Sequence, residues 1–459
     1  MNTRIIGIDL AVTAAHKAIV LDCASNDFVS PLLSFYTDPA ELDRLLAVAR
    51  AGTTEPIRLI AALEATAMSW YSVGSYLERH GVEVYRVNGQ QVADLRRVYN
   101  RHAKSDRIDA RVLARLPVTA PETLHRCYFP SAQILTLQRA CREVARLRAA
   151  GAAGKNRILA TDKFIWLGLP EGVSPFSTTA YWLRENWYSP WQVQAAGVAA
   201  LTQSWLATEP EDQADTAWVT ALLQKAEMVI TLYGATEPFD FDSLQASLRR
   251  EQETVRRAEE QAHDLRLHTV RPLYRHLHPQ RHLETLRGVG QDSAAIYLAF
   301  IGDCQRFPSL HDFMGWSGMI PYSRQSGEGE AKGLRITKAG PNLVKATAFL
   351  NANVARLWDP QIAVLYHHQM VDLGKHHLQA ICACATHLLT RVYVILRDNR
   401  PYELRDVDGT PVDKRTARRI CQERYLVPEE VRIRNNKRAH KARQEARLEK
   451  RLQRSRRKR

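Results

Sequence analysis

The chain has no apolar stretch of signal-peptide length near its start, MNTRIIGIDLAV, and no later window that spans a membrane. This sets aside secreted and membrane-embedded classes and predicts a cytoplasmic protein. No internal repeat is evident, which sets aside repeat architectures. Cysteine is scarce: seven residues, an odd number, scattered at Cys23, Cys127, Cys141, Cys304, Cys382, Cys384 and Cys421. A disulfide framework is therefore excluded, and free thiols in a reducing compartment are expected. Cys382, Cys384 and His387 lie close together, but in an apolar helical run. A helix does not turn residues two apart toward one ion, so packing is the expected use rather than zinc.

Charge is plentiful and unevenly placed. The net charge is +15, and residues 431–459 carry fourteen Lys or Arg against two Glu. The remainder is close to neutral. Such a tail attracts phosphate backbones through counterion release. Blocks of like charge are also commonly solvated and disordered, and both readings meet in an arm that orders on nucleic acid.

Along the chain, RIIGIDL, KAIVLD and a weaker run near LLSFYT have strand character, and PAELDRLLAVARAG reads as a helix with Pro at its start. IRLIAALEAT, MSWYSVGSYLERHG and VEVYRVN then read strand, helix, strand, and QQVADLRRVYN and SDRIDARVLARL read as helices. The order β-β-β-α-β-α-β-α-α predicts a mixed α/β domain over 1–122. Residues 123–280 are expected to form an antiparallel helical coiled-coil stalk from 131–165 and 242–280, with an insertion at about 163–245. Six of the nine tryptophans, Trp166, Trp182, Trp187, Trp191, Trp205 and Trp218, fall in that insertion. An aromatic core is their commoner use, a stacking surface the alternative. Residues 281–402 read as a mostly α-helical domain opened by a helix–GVG–helix hairpin, and 403–459 as the basic tail.

Four carboxylates stand out by position. Asp9 closes the first strand, Glu64 closes the fourth, and Asp106 and Asp109 share a face of one helix. An acid after an apolar strand run is costly unless paired or metal-bound. All-oxygen donors suit Mg²⁺, and two ions could clamp a phosphodiester. Alone, Asp106 and Asp109 are ordinary helix-surface acids and Asp9 a turn residue. The combination with the strand order is the RNase H-like plan.

GID, LEAT and KSDRIDA together resemble the DEDD signature of a RuvC-like domain. LRGVG followed by FPSLHDFMGWSGMIPYSRQSGEGEAKGLRITKAGP resembles the transposase domain of the IS110 class of insertion sequences, to which site-specific DNA invertases are related. The resemblance covers about 1–120 and 280–400. It implies that Asp9, Glu64, Asp106 and Asp109 bind Mg²⁺, and that Ser326 is the nucleophile that joins DNA. It further implies double-stranded donor and target DNA, a non-coding bridge RNA as guide, a homo-oligomer, and a bacterial, nucleoid-associated setting. Lys345 departs from the family, in which Arg is frequent, and loses the bidentate fork.

A seryl hydroxyl needs activation, and the loop around Ser326 has no histidine, so help is expected from the metal cluster. Gly327 and Gly329 would let backbone approach a phosphate. Lys104, Gly288, Gly290, Lys332, Arg335 and Lys338 are the candidate nucleic-acid contacts. Ser317 and Ser323 compete with Ser326 for the nucleophile's role. Two alternatives remain open: a RuvC-like junction endonuclease that uses water, and a non-catalytic nucleic-acid-binding relative.

Overall fold

The runs RIIGID and IRLIAALE are apolar at nearly every position, the mark of strands covered on both faces. In the computed structural model they lie side by side at the centre of a five-stranded sheet. The structure describes residues 2–52, 55–64, 68–99, 105–209, 217–322, 325–326, 329–330, 334–337 and 339–456. The chain divides into two units, Met1–Ser131 and Ala132–Arg459.

The first unit runs β1 (Asn2–Asp9), β2 (His16–Asp22), β3 (Leu33–Phe35), α1 (Pro39–Arg50), β4 (Ile57–Glu64), α2 (Ser69–Arg79), β5 (Glu83–Val87), α3 (Gly89–Tyr99) and α4 (Asp106–Thr119). This is the order read from the sequence. The sheet order is β3-β2-β1-β4-β5. The β1–β2 and β2–β3 pairs are antiparallel, and β1–β4 and β4–β5 are parallel. One face packs on α1 and α2 through Leu42, Leu45, Leu46, Val73 and Leu77. The other packs on α4 through Ile5, Ile60, Ala110 and Ala114. Asp38 caps α1 ahead of Pro39, and Ser105 caps α4 by accepting from the Ile108 N–H.

The second unit is mostly helical. Its elements are α5 (Ala132–Ile165), α6 (Thr178–Asn186), α7 (Pro190–Thr208), α8 (Ala217–Tyr233), α9 (Phe241–Leu265), α10 (Arg271–Leu277), α11 (Gln291–Ile301) and α12 (Leu310–Ser317). They are followed by β6 (Gln325–Ser326), β7 (Gly329–Glu330), α13 (Asn342–Ala355), α14 (Pro360–His367), α15 (His377–Asp398), α16 (Lys414–Arg424) and α17 (Glu429–Arg456). Helices α5 and α9 pack antiparallel where glycine permits close approach. A Cβ on Gly154 would meet Val255, and one on Gly151 would lie near Ala258. Lys155–Glu259 and Arg157–Glu251 ion pairs flank this seam.

The tryptophan-rich segment is a core. Trp182, Trp205 and Trp218 meet edge to face with centroids 5.4–5.6 Å apart. The Trp166 indole N–H donates to the Tyr188 carbonyl. Arg184, fully buried, forms an ion pair with Asp162, which joins α6 to α5.

Helix α15 is long and apolar enough to cross a membrane by composition, yet it is the central helix of the C-terminal core, packed with α12, α13 and α14. Cys384 lies within it, where burial pushes the thiol up to about 12.

Two features beyond residue 402 differ from the sequence reading. Ala417, Ile420 and Cys421 are buried, so α16 belongs to the packed body. The basic stretch is helical through Arg456, and its first half is docked. The buried Asn435 amide donates to the Met370 and Lys375 carbonyls, and Asn436 accepts from the His377 N–H. Those carbonyls are freed at the π-helical turn His368–Asp372 and the segment after it, which leaves them open to the Asn435 amide.

Asp162→Ala leaves the Arg184 guanidinium buried without its counter-charge, which costs about 3–5 kcal/mol. Urea unfolding followed by tryptophan fluorescence should show a lower midpoint. An unchanged midpoint would show that the pair does not hold the segment.

Candidate functional site

Alternation along the strands decides where the acids face. Asp9 shares its side of the sheet with Ile5 and Gly7, and Glu64 shares its side with Ile60 and Ala62. Both sets lie against α4: Ile5 and Ile60 pack with Ala110 and Ala114, and Ala62 packs with Val112 and Leu113. The Ile8–Leu63 rung of the parallel β1–β4 pair sets Asp9 and Glu64 at neighbouring strand ends. Helix α4 comes unusually close, since a Cβ on Gly7 would lie 2.1 Å from the Ala110 carbonyl oxygen. Asp109 immediately precedes Ala110. Strand ends and helix start thus bring Asp9, Glu64 and the Asp106–Asp109 turn to one end of one face.

Burial separates the helical pair. Asp106 is exposed in the first turn of α4. Asp109 is buried, and its Oδ1 accepts from Nη1 of Arg96 on α3 at 2.7 Å. Glu64 is half-buried beside the start of α3, where a Cβ on Gly89 would meet its Oε1 at 2.6 Å. Among the described residues Glu64 has no hydrogen-bond or ion-pair partner. The turn after Asp9 is pinned by buried His16, whose Nδ1 accepts from the Ala11 N–H while Nε2 contacts Thr37 Oγ1 at 2.8 Å. Burial holds the imidazole pKa below its ordinary value, which favours this neutral form.

The donor set fits a hard divalent cation in kind: carboxylates alone, at adjacent strand ends and a helix start. Among the described residues, no three His, Cys, Asp or Glu side chains are grouped to hold a metal. Asp109 is instead held by Arg96. Lys104 lies outside the described residues.

In the second unit, the polar loop between α12 and α13 is a β excursion. Pro321 and Ile336 form an antiparallel bridge, and Tyr322 donates its N–H to the Arg335 carbonyl. Farther out, Gln325 pairs with Glu330 and Ser326 with Gly329. Ser326 therefore sits on the backbone of a hairpin tip, and Arg335 is exposed on its returning strand. Lys332, Lys338 and Ser323 lie outside the described residues. Ser317 is fully buried, donates to the Met314 carbonyl and accepts from the Met319 N–H, so it is a packing residue.

The hairpin's base is clasped by two glycines with positive φ, Gly318 (68°) and Gly340 (66°). A Cβ on either would lie 2.0 Å from a carbonyl oxygen of the facing segment, that of Ala339 or of Trp316 at the end of α12. Lys345 closes the clasp by donating to the Ala339 carbonyl at 2.5 Å and the Gly340 carbonyl at 3.2 Å. This gives Lys345 a packing use.

The two GVG glycines differ. Gly288 (φ 85°) meets the α13 backbone, where a Cβ would lie 2.4 Å from the Asn351 carbonyl oxygen. The Asn351 amide donates to the Gly288 carbonyl and to Ser293 Oγ, and its Oδ1 accepts from the Tyr297 hydroxyl. Gly290 is exposed and precedes α11. Asp292 in the first turn of α11 is held by Arg266 and Arg271, so an acid already occupies that helix start.

Sequence reasoning missed Arg96, the glycine clasp and Asn351. The LRRVY run holds two adjacent arginines and does not mark which of them meets Asp109.

Two segments match known families. Residues 6–165 match a model described as a transposase, and residues 280–367 match the transposase family IS116/IS110/IS902. The 43.6 kDa protein of insertion element IS110 from Streptomyces coelicolor is 26% identical over 69% of this chain and 75% of its own length. The pilin gene-inverting protein of Moraxella lacunata is 28% identical over 27% of this chain and 38% of its own. The 42 kDa protein of insertion element IS900 from Mycobacterium paratuberculosis is 31% identical over 28% of this chain and 32% of its own. The chain belongs to the IS110 class of insertion-element transposases, a family of DNA-recombining enzymes.

Because Arg96 competes with any cation for Asp109, Arg96→Gln should strengthen Mg²⁺ binding several-fold in calorimetric titration of the full chain. Binding equal to the parent's would separate Asp109 from the cation site.

Proposed function

We propose that this chain cuts and rejoins insertion-element DNA by transesterification, with Ser326 as nucleophile and Asp9, Glu64, Asp106 and Asp109 as ligands of Mg²⁺, two ions in number. The observation that carries this reading is the position of Asp9 and Glu64 at neighbouring strand ends, with Asp106 and Asp109 in the first turn of the helix that covers that face. The strand order β3-β2-β1-β4-β5, antiparallel on one side and parallel on the other, supports an RNase H-like, RuvC-type domain.

Magnesium, when bound, neutralises the phosphodiester and the charge that develops on its oxygens. The chain's own residues supply the rest. Asp9 and Glu64 would hold the ion from neighbouring strand ends and Asp106 from the exposed side of the first helical turn, and Asp109 would be available to it once free of Arg96. Ser326 Oγ attacks phosphorus, forming a seryl phosphodiester as the bond to one sugar oxygen breaks. The seryl proton ends, in net terms, on the displaced oxygen. A sugar hydroxyl of the exchanged strand then attacks the same phosphorus and regenerates the serine. Lys332, Arg335 and Lys338 offset phosphate charge, and Gly327 and Gly329 leave room for the strand.

Donor and target duplexes are the DNA substrates under this reading, a non-coding RNA is the guide, and a homo-oligomer is the working form. The guide rests on the family resemblance; structured RNA co-purifying with the full chain tests it.

A nicked suicide duplex tests the chemistry. The parent should trap a covalent adduct in Mg²⁺, and chelator or Asp9→Ala should abolish it. Ser326→Ala should lose adduct and strand exchange while retaining DNA binding. Cleavage by Ser326→Ala at the parent's rate, without adduct from either protein, would replace this reading with a junction endonuclease that uses water.

A further inference from the structure

Outside both matched segments, α16 carries a feature that strand exchange does not use. Ala417, Ile420 and Cys421 face the core, so Lys414, Arg415, Arg418, Arg419 and Gln422 fall together on its opposite side. They line a cleft of about 660 Å³ whose remaining wall includes Trp358, just after α13. That volume is in the range of small-ligand sites.

Trp358 is fixed through its backbone. Its backbone N–H donates to the Ala355 carbonyl. The next residue, Asp359, is fully buried, caps α14 and accepts from the Tyr402 hydroxyl at 2.8 Å. The Arg418 guanidinium lies 4.3 Å from the Trp358 ring centroid. No carboxylate lines the cleft, and none lies within ion-pair distance of Lys414, Arg415, Arg418 or Arg419 among the described residues. Of the nearby acids, Asp413 caps α16 and Asp406 pairs with Arg424, while Glu423, one turn beyond Arg419, is exposed and lies outside the cleft lining.

Unpaired cations in such number call for a polyanion. An aromatic face with a guanidinium already on it calls for a planar group. A duplex keeps its base faces stacked, whereas an unpaired nucleotide offers both a face and flanking phosphates.

We propose that the cleft between Trp358 and α16 holds an unpaired nucleotide of a nucleic-acid strand, its base stacked on Trp358 in place of Arg418 and its flanking phosphates on Lys414, Arg415 and Arg419. This site is separate from the carboxylates and from Ser326, so its test runs in chelator on a Ser326→Ala background.

Short 4-thiouridine oligoribonucleotides and 4-thiothymidine oligodeoxyribonucleotides are cross-linked to the full chain, and the adducts are mapped by mass spectrometry. Affinity is read by fluorescence anisotropy across a salt series. Cross-links should fall on Trp358 or on α16. Trp358→Ala should weaken single-strand binding by roughly tenfold or more, and Trp358→Phe should retain most of it. Arg415→Gln with Arg419→Gln should reduce the salt slope by about 1.4. A response from only one of the two oligonucleotides supports the site and identifies its source strand. Equal competition by a blunt duplex, absence of cross-links from this cleft, or Trp358→Ala binding like Trp358→Phe would overturn the proposal.

Discussion

Where α4 crosses β1, backbone lies against backbone. Gly7 has no side chain, and a single added carbon there would sit 2.1 Å from the Ala110 carbonyl oxygen. Ordinary helix-on-sheet packing is held apart by side chains; this contact removes that spacer. The consequences run outward. Because α4 is seated so low, its first turn lies against the sheet's end rather than above it. Asp109 is thereby buried and must find a counter-charge, which Arg96 provides from α3. Asp106, one turn earlier, stays in solvent. The arrangement of the carboxylates depends on an interaction that involves none of them.

The second unit repeats the device. Gly318 and Gly340 bring two segments to backbone contact and fix the root of the hairpin that carries Ser326. Gly288 does the same against α13, with Asn351 bonding across the join. In each case the polar residue beside the glycine satisfies groups exposed by the close approach: Lys345 at the hairpin, Asn351 at α13.

Much of the first unit was legible in the sequence because its signals are local. Asp9 and Glu64 each end an apolar run, and a carboxylate there is conspicuous whatever the rest of the chain does. The element order followed from periodicity and caps. Arg96 was not legible, since nothing within α3 says that one of two adjacent arginines faces an acid thirteen positions on. The clasp was invisible for a related reason: Gly318 and Gly340 look like ordinary turn glycines until their segments meet. The basic stretch was read as disordered because composition dominates such a judgement, while a few specific hydrogen bonds, Asn435 foremost, dock it. Ser317, beside Trp316 in a stretch that reads as a packed turn, is indeed buried with its hydroxyl hydrogen-bonded.

Helix α17 has a consequence of its own. Its anchoring contacts come from Asn435, Asn436, Arg438 and Arg443, and residues 444–449 beyond them are exposed on every side. The helix of 28 residues extends about 42 Å at about 1.5 Å per residue. Charge beyond the anchor can thus be added or removed without disturbing any packed contact. Long-range attraction to polyanions is then set by the exposed length of the helix and by ionic strength.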